Sequence, residues 1–211
     1  MLPGYQRPKI AHESYEDEHG EAIAYGQRWD SEPPAGSYSQ TSHLQRFSPL
    51  HVVAEELVKW ICGRYKVRCF DDPGLAAQLR VRADQPLRSV RLFPEDSRSA
   101  PIGLVFTKFP GVHLQLGTLF RAAFPSCGCD ACDESVPELL DELEEQIAAV
   151  LSGNFIELLD LKAQRLTHRF NVEELGFSAQ SGGLDDITPA QLAWARAAIP
   201  LGGRWGPWPA R

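Results

Sequence analysis

An α+β fold, an antiparallel sheet of hairpins packed on one side by two main helices, is predicted from three observations. Two long stretches carry apolar residues at helical spacing. Between and after them the apolar residues alternate in short runs joined by turn residues. These runs come in pairs rather than singly between helices, which favours antiparallel over parallel pairing.

The first strong element opens at Ser48 and Pro49, a capping residue followed by a proline suited to the first helical position. Leu50, Val53, Leu57 and Ile61 then share one stripe, and Gly63 weakens the end. Val67-Arg68-Cys69-Phe70 reads as a short strand. Asp72-Pro73 turns the chain into a short helix ending near Leu79, and Ser89 to Phe93 is strand-like. Pro101 to Gly117 is the clearest hairpin: Ile102, Leu104 and Phe106 alternate, Pro110-Gly111 turns, and Val112, Leu114 and Leu116 alternate again. His113 and Gln115 fall on the opposite face of that second strand.

Ser135-Val136-Pro137-Glu138 has the form of a capping box. It opens a second long helix through Leu139, Leu140, Leu143, Ile147 and Leu151, with Gly153 as its stop. Phe155 to Leu161 and Arg165 to Val172 form a second hairpin, and residues 173–187 read as a Gly- and Ser-containing loop. Thr188-Pro189-Ala190-Gln191 caps a last short helix. Around this domain, residues 48–200, the pattern leaves an irregular arm at 1–47 and an extended Trp- and Pro-containing tail at 201–211. Trp205 and Trp208 are expected to pack onto the domain rather than serve as a proline-flanked recognition peptide.

Length and composition set outer limits. With 211 residues, 43% of them hydrophobic, the chain can bury one full core. No run is long and apolar enough to cross a membrane. The first residues lack the apolar stretch of a secretory signal, and a cytoplasmic protein is expected. Five cysteines make an odd number. Cys62 and Cys69 stand apart in helix-like and strand-like surroundings, so a reducing compartment is preferred over a secreted disulfide framework.

A net charge of −7 argues against nucleic acid as a partner, since phosphate affinity rests on Lys and Arg. The charge is also unevenly spread. Lys59 to Arg121 holds eleven basic and five acidic residues, whereas Ala122 to Leu161 holds ten acidic residues and no Lys or Arg. The acidic helix is either a solvated face or a docking surface for a protein partner.

The chemistry concentrates in Phe124-Pro125-Ser126-Cys127-Gly128-Cys129-Asp130-Ala131-Cys132-Asp133-Glu134, where three of the five cysteines fall within six residues. Cys127, Cys129 and Cys132 are the expected metal ligands. Zinc suits such donors best, and Cys129 and Cys132 form a C-x2-C pair. A structural zinc site wants four ligands, and no second knuckle exists. The fourth donor is left among His113, His168, Asp130, Asp133 and a distant cysteine. His168 shares the face of Leu166 and Phe170 and reads as a hydrogen-bonded core residue, and His113 as a solvated one. A metal-free structural turn and a redox loop are the other readings. A position just before a helix N-terminus would favour a thiolate, but Asp130, Asp133 and Glu134 oppose it.

His19-Gly20-Glu21 superficially matches the H-x-E half of a zinc deaminase. Pro125, however, is two residues from Cys127 rather than next to a C-x-x-C. The two halves also lie about a hundred residues apart, too far for that family's compact unit. No P-loop, G-x-S-x-G or G-x-G-x-x-G occurs, and no catalytic or cofactor-binding residue is assigned.

The segments Phe109-Pro110-Gly111-Val112, Phe124 to Glu134 and Glu138-Leu139-Leu140-Asp141-Glu142-Leu143-Glu144 resemble an uncharacterised, mainly actinobacterial domain family of unknown function. The resemblance runs from about Tyr25 onward and implies no activity. It implies a cytoplasmic protein whose cysteine loop belongs to the domain, with His19 and Glu21 outside the shared region. The expected function is a non-enzymatic binding or accessory domain with a structural cysteine-loop zinc site. The alternatives are a thiol- or metal-dependent enzyme using the Cys127–Cys132 loop and an acidic partner-docking module.

Overall fold

The computed structural model describes residues 2–11, 13–172 and 176–211. It is a mixed α+β structure with two antiparallel sheets. The larger is a five-stranded meander, β1 (Val67–Asp71), β2 (Pro86–Pro94), β3 (Ile102–Thr107), β4 (Val112–Leu116) and β5 (Phe120–Phe124), in sequential order. The smaller runs β6 (Phe155–Asp160), β7 (Arg165–Val172) and β8 (Gly176–Gly183).

Alternation sets the faces of the larger sheet. Val90 and Leu92 of β2, Leu104 and Phe106 of β3, and Leu114 and Leu116 of β4 point into the main core. They pack there with Leu50, Val53, Leu57 and Ile61 of α1 (Pro49–Arg64) and Leu140, Leu143 and Ile147 of α3 (Val136–Leu151). The short helix α2 (Gly74–Gln78) covers the other face, where Leu75, Ala76 and Leu79 meet Val105. Gly103 permits this approach, because a Cβ there would stand 2.9 Å from a Leu75 methyl. Covered on both sides, β3 is buried along its whole length.

The two expected serine caps are absent: neither Ser48 nor Ser135 donates or accepts a side-chain cap bond. Pro at the first turn and the apolar stripe suffice to start both helices. In α4 (Pro189–Ala198) the box does form, Thr188 accepting from the Gln191 N–H while Gln191 reaches back to the Thr188 N–H. Two strands went unread in the sequence. Phe120–Phe124 is β5, whose inner positions Arg121, Ala122 and Ala123 do not alternate apolar with polar. Gly176–Gly183, read as loop, pairs with β7 as β8 despite its Gly and Ser content. Backbone pairing to a formed hairpin overrides weak side-chain propensity there. Residues 173–175 of that expected loop lie outside the described residues.

Cys62 at the end of α1 and Cys69 in β1 are joined by a disulfide, with Cα atoms 6.6 Å apart. The odd cysteine count thus divides into one pair and one triad, and the pair departs from the expectation, drawn from the separate settings of Cys62 and Cys69, of a reducing compartment without a disulfide framework.

The arm and the tail both adhere. Arg7 donates to Glu144 (2.8 and 3.0 Å) and to Asp141 (2.5 Å) on α3. In the tail Trp205 and Trp208 are buried. Trp208 Nε1 donates to the Ala100 carbonyl at 2.9 Å, and the backbone from Gly203 to Trp208 exchanges bonds with Glu157, Phe155 and Leu151. None of the described helices is long and apolar enough to cross a membrane.

Candidate metal centre in the cysteine loop

The loop lies between β5 and α3. Buried Phe124 ends β5, a cis peptide leads into Pro125, and α3 begins at Val136. The preceding hairpin turn supports it. Gly111 passes beneath Phe124, where a Cβ would meet the Phe124 carbonyl at 2.8 Å. Gly128, at φ +81°, passes against the Phe109 ring, where a Cβ would meet Cζ at 2.5 Å. The positive φ and the close ring both require glycine at 128.

Glu134 gathers the loop. Its carboxylate accepts the N–H groups of Ser126 (2.7 Å), Cys127 (3.1 Å) and Gly128 (2.7 Å) and the Ser126 hydroxyl (2.8 Å). Partial burial pushes this carboxyl up, but the converging donors outweigh it and hold its pKa below the ordinary glutamate value. Asp130 points the opposite way. It is buried and accepts the Ser42 N–H (2.7 Å) and hydroxyl (2.6 Å), with the Arg28 guanidinium 3.6 Å away. Burial again opposes its charge, and Ser42, Arg28 and Arg46 together keep its pKa low.

Backbone bonds extend the contact. Asp130 N–H donates to Gln40, Ala131 N–H to Ser37, and the Trp29 indole to the Asp130 carbonyl at 3.0 Å. Asp133 accepts the Arg28 N–H at 2.7 Å. The acidic side chains that count against a thiolate on sequence grounds are therefore occupied in holding the loop and the arm. Arg46 is buried beside them with its guanidinium over the Tyr25 ring (3.8 Å) and the Phe47 ring (4.1 Å).

This scaffold brings the sulfur atoms of Cys127, Cys129 and Cys132 within 4.8 Å of one another. Four sulfurs around zinc at about 2.3 Å would stand about 3.8 Å apart, so closing on an ion takes less than about an ångström of movement. Cys129 is buried while Cys127 and Cys132 are exposed. Hydrogen bonds from the Cys132 backbone and the Cys127 thiol lower the pKa of Cys129, whereas the Cys129 and Cys127 sulfurs push Cys132 up to about 12. The crowded thiols thus push one another's pKa values apart, as closely spaced ionisable groups do.

Among the described residues no fourth His, Cys, Asp or Glu joins the triad. His168 is buried in β7 at 3.4 Å from Glu157, the core role expected of it. His113 is half-buried on the α2 face of β4, and that burial lowers its pKa, which corrects its reading as solvated. Both oxygens of Asp130 and both of Glu134 are engaged, and of the loop's carboxylate oxygens Asp133 Oδ1 is the one buried without a partner. His19 and Glu21 are exposed on a turn of the arm, and His19 is not among the grouped ligands, so the deaminase pattern has no geometric basis.

Fold and loop together define an α+β protein with a three-cysteine centre between a strand and a helix. The chain belongs to the Family of unknown function (DUF6226), whose model matches residues 11–211. That match includes His19 and Glu21, correcting the expected start near Tyr25. No curated protein and no solved structure matches the chain.

Proposed function

We propose that Cys127, Cys129 and Cys132 hold a zinc ion in a structural role, within a non-enzymatic binding or accessory domain. The observation that carries this reading is the clustering of the three sulfurs within 4.8 Å on one loop. The surrounding hydrogen bonds support a structural rather than a catalytic role, because the same loop ties residues 28–42 to the domain. The fourth donor would be a water molecule or, after movement of the loop, Asp133 Oδ1, which lies outside the sulfur cluster.

Metal analysis of the full chain purified without added zinc tests this. About one equivalent of zinc and thiols slow to react are expected. Less than a tenth of an equivalent of any metal, with freely titratable thiols, overturns it. Chelation is expected to speed proteolysis of the arm between Arg28 and Ser42 without unfolding the sheet core.

Use of the loop as a thiol or metal enzyme centre has less support, since the hydrogen bonds around the sulfurs serve to hold the loop and the arm. Docking of a protein partner on α3 is a further proposal. Arg7 pairs with both Asp141 and Glu144 but leaves Asp141 exposed, so the partner would meet Glu138, Asp141 and Glu145. A cytoplasmic location is likewise proposed on the triad, which would stay reduced there for metal, with the Cys62–Cys69 disulfide standing against it.

A further inference from the structure

A second site lies away from the cysteine loop, where β5 meets the smaller sheet. A cleft of about 390 Å³ opens there between Leu119–Arg121, Leu166 and His168 of β7, Gln180–Gly183 of β8, and Asp186–Ile187. That volume falls in the range of small-molecule sites. Its walls are apolar where Leu119, Phe120, Leu166 and Ile187 line it, and a few polar groups converge within.

Arg121 is the unusual member. Its Nε is buried without a hydrogen-bond partner, and no carboxylate among the described residues lies within ion-pair distance of the guanidinium. Asp186, the acidic residue in the lining, is already taken: its carboxylate pairs with Arg80 Nη1 at 2.5 Å, and its carbonyl accepts from Arg80 Nη2 at 2.8 Å. Arg121 thus lines the cleft without a direct ion-pair partner; burial, then the like charge of Arg80, lower its pKa, and the more distant Asp186 offsets them only in part. Leaving a guanidinium donor dry and unpaired is costly, so such a group marks a place for an acceptor.

His168, also in the lining, is held by its neighbours. It pairs with Glu157 at 3.4 Å, its ring parallel to Phe155 (9°) and edge-on to Phe120 (82°). Glu157, fully buried, also accepts the Thr118 and Leu119 N–H groups (3.0 and 2.7 Å) and the Trp205 indole (3.2 Å). With Nε2 turned to Glu157, Nδ1 is the ring nitrogen left without a protein partner among the described residues.

We propose that this cleft binds a small anion, a carboxylate or phosphate group on an apolar body, with Arg121 as its charge anchor and His168 as a second polar contact. The planar guanidinium fork suits both oxyanions, and the apolar walls suit the body that carries them. The site is independent of the cysteine loop and stands or falls without it.

Calorimetric titration of the full chain with benzoate and phenyl phosphate, and with benzamide as the uncharged control, tests the assignment. At least one anion is expected to bind at millimolar concentration or below, with benzamide weaker by about tenfold or more. Arg121→Gln is expected to lose about tenfold in affinity for that anion. Which of the two anions binds identifies the oxyanion. Amide and His168 ring shifts in the unsubstituted protein provide a measurement that does not depend on the variant folding. They are expected at residues 119–121, His168 and 180–183. No binding by either anion, equal binding of benzamide, unchanged affinity in Arg121→Gln, or shifts confined to other surfaces would each overturn the proposal.

Discussion

The cysteine loop and the Arg121 cleft place polar groups in the same molecule by opposite means. In the loop the sulfurs and carboxylates come from one run of nine residues, Ser126 to Glu134, and Asp130 and Glu134 bind the arm and the loop backbone. In the cleft the polar groups come from β5, β7, β8 and the turn before α4, and His168 with the Thr118–Leu119 backbone is held by Glu157, a buried carboxylate with four groups around it. A local site can loosen while the fold persists. A site assembled by the fold cannot.

Glu157→Ala should therefore show the largest effect. It leaves the Thr118 and Leu119 N–H groups and the Trp205 indole buried without an acceptor, and a loss of about 3 kcal/mol or more is expected in urea unfolding. A loss below about 1 kcal/mol would break the contrast, since Glu157 would then be no more than a local contact.

Glu134→Ala should come next. It frees three N–H groups of a partly exposed loop that water can reach, so about 1–2 kcal/mol is expected. Its effect on zinc affinity should be greater, a fall of roughly ten- to hundredfold, as for other groups that orient metal ligands. Unchanged zinc affinity would mean that the loop keeps its shape without this carboxylate.

The smallest effect concerns pH. Asp130 and Glu134 both have depressed pKa values in the folded chain. Their contribution is fully present above the unfolded values, about 3.9 and 4.3, and is lost as pH falls through the lower folded values. With chelator present throughout, pepsin cleavage between Arg28 and Ser42 should rise below about pH 4 before far-UV circular dichroism changes. Asp130→Asn should raise the cleavage already near the upper edge of that window. Simultaneous loss of arm and core would show that the loop is not a separable unit.

The parts of the molecule legible in sequence share a physical character. The stripe from Leu50 to Ile61, that from Leu139 to Leu151, and the hairpin around Pro110-Gly111 each carry their own periodicity, and each stands where that pattern puts it. β5 and β8 do not: Arg121-Ala122-Ala123 and Ser178 to Gly183 have little alternation, and only pairing with β4 and β7 makes them strands. The caps expected at Ser48 and Ser135 failed for the related reason that a first-turn proline and a buried stripe leave little for a serine to add. The Cys62–Cys69 pair was missed because its closeness depends on how α1 turns into β1, which no spacing rule states.

By itself, then, the sequence determined the three sulfur donors, the acidic loop, the family segments and the helix and hairpin periods, because each rests on neighbours in the chain. Only the tertiary structure decided what the carboxylates do, that the arm bonds to the cysteine loop, and that Arg121 and His168 line one cleft. Those facts depend on groups tens of residues apart, from Arg28 and Asp133 to Glu157 and Trp205, whose encounter is set by burial and backbone pairing rather than by local pattern.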